Sequence, residues 1–248
     1  MTRETMKTTL EDYRERVEGF LQTCLKDDVI PERLQSAMEY SLFAGGKRIR
    51  PILCLVWTEL ISGDSEQALP FACALECIHT YSLIHDDLPA MDDDDLRRGR
   101  PSNHIKYGQA LAILAGDGLL TEAFSLMLAH RRHPERTLRA AAEVARAAGP
   151  RGMVGGQVLD MLMTGHGEGD LEMLKSMHSL KTGAMLRASC LSGAILAGAE
   201  HDDLTLADQY GTSIGLAFQI ADDILDITGD KHALAKPPAS HAFRRRLN

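Results

Sequence analysis

Apolar side chains recur every three or four residues along most of this 248-residue chain, the spacing that gives an α-helix one buried face. Leu10, Tyr13, Val17, Phe20, Leu21 and Leu25 set the pattern. The same spacing predicts helices over Glu32–Leu42, Pro51–Ile61, Leu69–Leu88, Ala110–Ala129, Arg136–Ala148, Met153–Met163, Leu171–Leu196 and Leu204–Asp226. Gly, Pro and Asp punctuate them, as in Ser62-Gly63-Asp64 and Gly149-Pro150-Arg151-Gly152. No alternating stretch bounded by turn signals argues for a sheet. Several helices are apolar around most of their circumference and their connections are short, so an all-α, single-domain bundle with buried central helices is expected. Residues 237–248, from Pro237-Pro238 to Arg244-Arg245-Arg246-Leu247-Asn248, have no apolar period and are expected to form a solvated tail.

Composition narrows the chemistry. A hydrophobic content of 44% supports a substantial core, and a net charge of −8 argues against a nucleic-acid partner. The five cysteines lack paired metal spacing and sit in apolar stretches, which reads as reduced thiols in a cytoplasmic protein. Met1 to Leu10 is polar and mixed in charge, unlike a signal peptide, and no apolar run is expected to span a membrane.

Much of the acid excess lies in two clusters, Asp86-Asp87-Leu88-Pro89-Ala90-Met91-Asp92-Asp93-Asp94-Asp95 and Asp222-Asp223-Ile224-Leu225-Asp226. Each follows a hydrophobic run, where a solvated helix end would need no such concentration of carboxylates. Neighbouring carboxylates repel, and withdrawing them from water costs several kcal/mol each unless a cation compensates. Magnesium, held by a few carboxylates and sharing its other positions with substrate phosphates, is the economical cation. Asp222 and Asp226 are four residues apart and so lie on one helix face. Pro89 disturbs the backbone ladder after Asp87, which lets Asp92 return toward Asp86. Three basic segments accompany the acids: Gly45-Gly46-Lys47-Arg48-Ile49-Arg50, Arg97-Arg98-Gly99 and Lys181-Thr182-Gly183. Each alone is a weak signal, but together with two metal clusters they point to diphosphate chemistry.

These segments, with Gly155-Gly156-Gln157-Val158-Leu159-Asp160 and Gly215-Leu216-Ala217-Phe218-Gln219-Ile220-Ala221, resemble the trans-prenyltransferase (polyprenyl synthase) family, and within it the bacterial-type farnesyl diphosphate synthases. The likeness runs from about residue 10 to Lys236. It implies the isoprenoid synthase bundle over residues 1–236, with a central active-site cavity, a cytoplasmic location and a homodimer. It further implies that Asp86, Asp87, Asp92, Asp222, Asp223 and Asp226 hold magnesium, three ions in all, on an allylic diphosphate. Arg97, Lys181, Thr182, Gln219 and Lys236 would bind that diphosphate, while Lys47, Arg50, His79 and Arg98 would hold isopentenyl diphosphate. Asp86, Asp92, Arg97, Lys181 and Asp222 are the expected catalytic set; Gln157 and Asp160 would orient neighbouring cations, and His85 is read as structural.

The implied reaction ionises the allylic C–O bond, joins the cation to isopentenyl diphosphate and loses a proton, giving farnesyl diphosphate from dimethylallyl or geranyl diphosphate. Tyr81, about 7–8 Å below Asp86 on a helix, would floor the pocket and, with Ser82, limit product length to C10 or C15. The family pattern continues after the second acidic motif with a basic loop and about two more helices, whereas here the likeness fades at Gly229–Lys236. This departure implies a shortened, partly open bundle with exposed apolar surface. It supports an alternative reading, a catalytically weak or inactive homologue that binds diphosphates or serves as a partner subunit. A terpene cyclase also carries acidic metal sites, but Lys47–Arg50 and the Arg97-Arg98 pair argue for a second diphosphate.

Overall fold

The computed structural model describes residues 3–166 and 171–228, and the side chains of Asp222, Asp223 and Asp226, together with Lys236 and the 237–248 tail, lie outside the described residues. The chain folds as helices α1 (Arg3–Cys24), α2 (Glu32–Leu42), α3 (Ile49–Ser62), α4 (Leu69–Asp86), α5 (Asn103–Tyr107), α6 (Gln109–Ala129), α7 (Pro134–Ala148), α8 (Met153–His166), α9 (Leu171–His178), α10 (Ala184–Ala197) and α11 (His201–Thr228). A two-residue antiparallel ribbon, Leu96–Arg97 against Arg100–Pro101, is the only strand pairing among the described residues. The all-α fold class holds.

Two helices with extensively buried sequences, α4 and α10, form the centre. Helix α4 buries Phe71, Leu75, Ile78 and Ile84, and α10 buries Met185, Leu186, Ile195 and Leu196. Neither has a polar face, so both are sheathed by other helices instead of lying on the surface. Small residues set how closely they pack. A Cβ at Gly193 of α10 would overlap the Cys54 carbonyl oxygen of α3 and lie 3.0 Å from its carbon. The Thr58 hydroxyl fastens the same crossing, 2.8 Å from the Cys54 carbonyl oxygen and 3.1 Å from that of Gly193. Backbone atoms cannot yield as a side chain can. Gly193→Ala is therefore expected to destabilise the fold by about 1–3 kcal/mol, the usual penalty for overpacking; a urea midpoint equal to wild type would contradict this.

Four cysteines are buried and Cys24 is half-buried, all as free thiols. Burial pushes Cys54 and Cys190 up to about 12, which keeps both protonated and unreactive.

Three features depart from the periodicity. The continuous pattern over Leu171–Leu196 conceals a π-helical turn at Ser179–Gly183, between α9 and α10. The punctuated stretch after the first acidic cluster holds the ribbon and α5, elements too short to leave a periodic trace. Helix α6 corrects the membrane expectation, since it is 21 residues long and contains an 18-residue stretch with a mean hydropathy of 1.6, enough by length and composition to cross a bilayer. Its buried face, with Ala112, Ala115, Leu119, Ala123 and Met127 fully covered, packs in the core beside α4. Ile113, Leu114 and Leu128 remain exposed on the other side, as do Val158 and Leu162 of α8 and Leu216, Ile220 and Ile224 of α11.

Candidate active site

Helix α4 ends at Asp86 because Pro89 cannot donate to the ladder, and the chain then doubles back. The Asp92 amide donates to the Asp86 carbonyl oxygen at 2.9 Å, and Met91 and Asp93 close the turn onto the Leu88 carbonyl. Asp92 thus stands beside Asp86. The Asp86 carboxyl is pushed up to about 6 by burial, with Lys181 opposing and Asp92 reinforcing the shift. Asp87 turns the other way. It is buried against Arg97, whose Nε donates to its two oxygens at 2.9 and 3.1 Å and whose Nη2 also bonds Oδ1. Burial works to lower the Arg97 pKa, but Asp87, Asp94 and Asp86 outweigh it and raise it.

Asp86 lines a cavity of about 400 Å³ together with Tyr81, Ser82, Lys181, Thr182, Arg50 and His79. Its apolar lining comes from Met91, Met153, Val154, Val158 and Met161. The methionines and valines of α8 were not anticipated as lining, although Val154, Val158 and Met161 share one face by their spacing. Gln157 also faces this cavity, and neither of its amide atoms, though buried, has a hydrogen-bond partner in the protein.

A second cavity, about 320 Å³, is lined by Lys47, Arg50, His79 and Arg98, with Phe218 of α11. These are the four residues expected to share one diphosphate, and they converge although they come from three separate segments. The loop geometry explains how. Gly46 has φ +133, and a Cβ there would lie 2.8 Å from Arg98 Nη1, so only glycine lets the Arg98 guanidinium lie flat against this backbone. Burial lowers the Arg50 pKa, with Glu76 opposing and Arg98 adding to the shift; the pKa of Arg98 falls for the same leading reason. His79 is held well below its ordinary range by burial and by Arg50, Arg98, Arg48 and Arg97, and so is neutral at pH 7. Half-buried guanidiniums repelling one another make this cavity a receptor for an anion. Arg48 and Glu76 also line this cavity but are paired beneath it: Arg48 Nη1 donates to Glu76 at 2.7 Å, and both side chains are buried.

Lys181 and Thr182 sit on the π turn, which widens the helix and pushes both toward the large cavity. Helix α8 supports them closely, because a Cβ at Gly156 would overlap the Lys181 amide nitrogen and lie 2.6 Å from its Cα. Asp160, one turn later, accepts from Lys181 Nζ at 2.7 Å. On α11, Gly215 packs on Gly183, where a Cβ would come within 2.9 Å of the Gly183 Cα. Gln219 is half-buried one residue beyond Phe218 and is not among the lining residues of either cavity. Asp222, Asp223 and Asp226 continue the same helix, three, four and seven residues past Gln219. Among the described residues, no group of three His, Cys, Asp or Glu side chains is disposed to hold a metal ion.

Residues 31–240 match the model of the polyprenyl synthetase family. The chain belongs to that family. It is 48% identical over 244 residues to the farnesyl diphosphate synthase of Geobacillus stearothermophilus, covering 96% of this chain and 77% of that one. It is equally 48% identical over 237 residues to the geranylgeranyl diphosphate synthase of Cyanophora paradoxa, covering 95% and 79%. The solved apo structure of an FPP/GFPP synthase from Zymomonas mobilis superimposes with a TM-score of 0.85 at 36% identity, covering 99% of this chain and 90% of that chain. In this member of the family, the acidic turn, the basic loop and the π turn therefore converge on adjoining cavities in a bundle shared with solved prenyl synthases.

Proposed function

We propose that this polyprenyl synthetase is a magnesium-dependent, short-chain trans-prenyltransferase. It extends dimethylallyl and geranyl diphosphate with isopentenyl diphosphate to farnesyl diphosphate. One observation carries the reading: an anion-seeking cavity and a cavity that combines Asp86 with an apolar lining share the wall formed by Arg50 and His79. Isopentenyl diphosphate fits the first, with Lys47, Arg50 and Arg98 on its phosphates. The allylic substrate fits the second, its diphosphate near Asp86, Lys181 and Thr182 and its hydrocarbon against the α8 methionines.

The donor set suits magnesium. Asp86 and Asp92 offer only oxygen, the ligand that hard cations prefer, and the raised Asp86 pKa marks a carboxyl short of positive charge. Asp222, Asp223 and Asp226 would complete the set, while Asp87 is committed to Arg97 and would fix that guanidinium at the rim. Bound magnesium supplies positive charge to the leaving diphosphate. Lys181, steadied by Asp160, adds a fixed cation at the same rim. As the allylic C–O bond breaks, its electron pair leaves on the diphosphate. The isopentenyl double bond then attacks the allylic carbon, and a proton passes from the new cation to the departing diphosphate. Neutral His79 contributes a hydrogen bond and no net charge. The apolar walls keep water from trapping the carbocation. The exposed apolar residues of α6 support pairing as a homodimer.

Incubation with dimethylallyl and isopentenyl diphosphates, with and without magnesium, tests this directly. Metal-dependent C10 and C15 products are expected, and their absence would overturn the proposal. Tyr81, buried in the cavity wall one and a half helical turns below Asp86, supports the C15 limit. Tyr81→Ala is expected to shift products toward C20, and an unaltered chromatographic profile would refute this role.

A further inference from the structure

The ring of Tyr81 rests against a neighbour that is itself clamped by α6, a helix outside the acidic and basic motifs. Four residues along α4, on the same face, His85 meets Tyr81 edge-on with centroids 5.7 Å apart and planes at 81°. Both line the large cavity. The imidazole is itself clamped by α6. Its Nε2–H donates to the Ile113 carbonyl oxygen at 3.1 Å, and Asp117 Oδ1 stands 3.9 Å from the same nitrogen. Gly116 makes room for the ring: a Cβ there would overlap Nε2 and lie 2.5 Å from Cδ2 and 2.9 Å from Cε1. The imidazole thus occupies the space that any other residue at 116 would fill. Gly116 has an ordinary helical backbone, so its lack of a side chain serves this contact and no turn.

We infer that Gly116 and His85 are positioning residues for product length. They set how far the Tyr81 ring stands into the hydrocarbon channel. Pocket depth is then a property of the α4–α6 spacing as well as of the tyrosine, and it can be changed without touching a diphosphate contact. The inference rests on the prenyltransferase reading, because it concerns the hydrocarbon half of that site.

Two variants move the stack in opposite directions. Gly116→Ala drives the imidazole off α6 and toward Tyr81, which carries the ring into the channel and shortens the product. His85→Ala removes the backing, lets the ring fall toward α6 and lengthens the product. His85→Gln keeps a donor for the Ile113 carbonyl and should shift the outcome less than His85→Ala. Contacting residues couple strongly enough that a change of about three- to tenfold in the C10-to-C15 product ratio is expected for each of the first two. In the double variant the methyl fits the space the ring has left, so the Gly116→Ala effect should vanish. A merely destabilising substitution would not reverse in this way.

The decisive experiment measures product ratios for the single and double variants in magnesium. It also measures, by titration calorimetry, the affinity of each protein for geranyl, farnesyl and geranylgeranyl diphosphate, which reads channel depth without turnover. Opposite shifts in the two single variants, with the double variant matching His85→Ala alone, support the inference. Identical length preference in every variant, or a Gly116→Ala effect undiminished by loss of the imidazole, overturns it while leaving the prenyltransferase reading intact. A wild-type protein that neither turns over nor binds any of these diphosphates overturns both. Should Gly116→Ala fail to fold, the His85→Ala and His85→Gln pair still decides the point.

Discussion

Replacing Arg48 by Met is expected to destabilise this protein by about 3–5 kcal/mol, the usual consequence of stranding one member of a buried ion pair. Arg48 precedes α3 in the left-handed conformation, with φ 52, which folds its side chain back into the bundle and away from the loop surface. There Nη1 meets Glu76 at 2.7 Å and Nη2 donates to the Leu42 carbonyl oxygen at 2.8 Å. The pair is almost wholly out of water, at 2% and 3% side-chain exposure. Without the guanidinium, Glu76 loses the hydrogen-bonded partner of its charge in the middle of α4, and Arg50 and Arg98 offset that only through space across the cavity. A typical domain has only about 5–15 kcal/mol of net stability, so the loss would consume a large share. The double variant Arg48→Met/Glu76→Leu removes both charges and should recover most of it, because a well-packed apolar pair is often as stable as a buried ionic one. Urea unfolding of the two variants checks this. A single variant within about 1 kcal/mol of wild type would mean that the pair is far better solvated than its burial implies.

Arg48 also shows where sequence reasoning stops. Lys47, Arg48 and Arg50 present the same charge within four residues, and nothing in the letters shows which of these cavity-lining residues is also tied into the core. A single left-handed residue decides it. Asp86 and Asp87 pose the same problem: neighbours on a helix point about 100° apart, so one faces the cavity and the other meets Arg97. Helix periodicity located the main elements well because burial imposes it, and α2 matches its expected bounds, Glu32–Leu42. The backbone reversal that Pro89 makes possible was also readable, since it follows from a missing amide hydrogen. The π turn under Lys181 was not, because one extra residue in a helix barely disturbs an apolar pattern. Gly116 was equally silent. Its meaning lies in a contact with α4, and only packing reveals which of 21 glycines is shaped by a neighbour's ring.

Asp86→Asn is expected to reduce turnover with dimethylallyl diphosphate on the order of 10²-fold or more, the scale seen when one charge-organising group is taken from a preorganised site. The change is nearly isosteric, so the return of Asp92 to the Asp86 backbone carbonyl should persist. What disappears is the negative charge at the rim, and with it the means of gathering cations around the leaving diphosphate. Stability should move the other way. The folded protein raises this carboxyl from 3.8 to about 6, chiefly by burial, so between those values the folded state holds the proton more tightly than the unfolded chain does. In metal-free buffer the carboxyl therefore lowers stability as pH rises through that window, and asparagine is spared the penalty. Near pH 7 the variant should melt at or above the wild-type temperature while being catalytically crippled, the opposition expected where charge is kept buried for function. The cationic cavity should be untouched, so isopentenyl diphosphate binding, followed by calorimetry, should stay within about twofold of wild type. Near-normal turnover would remove Asp86 from the chemistry. A melting temperature that fell with the activity would show that the carboxylate had been supporting the fold.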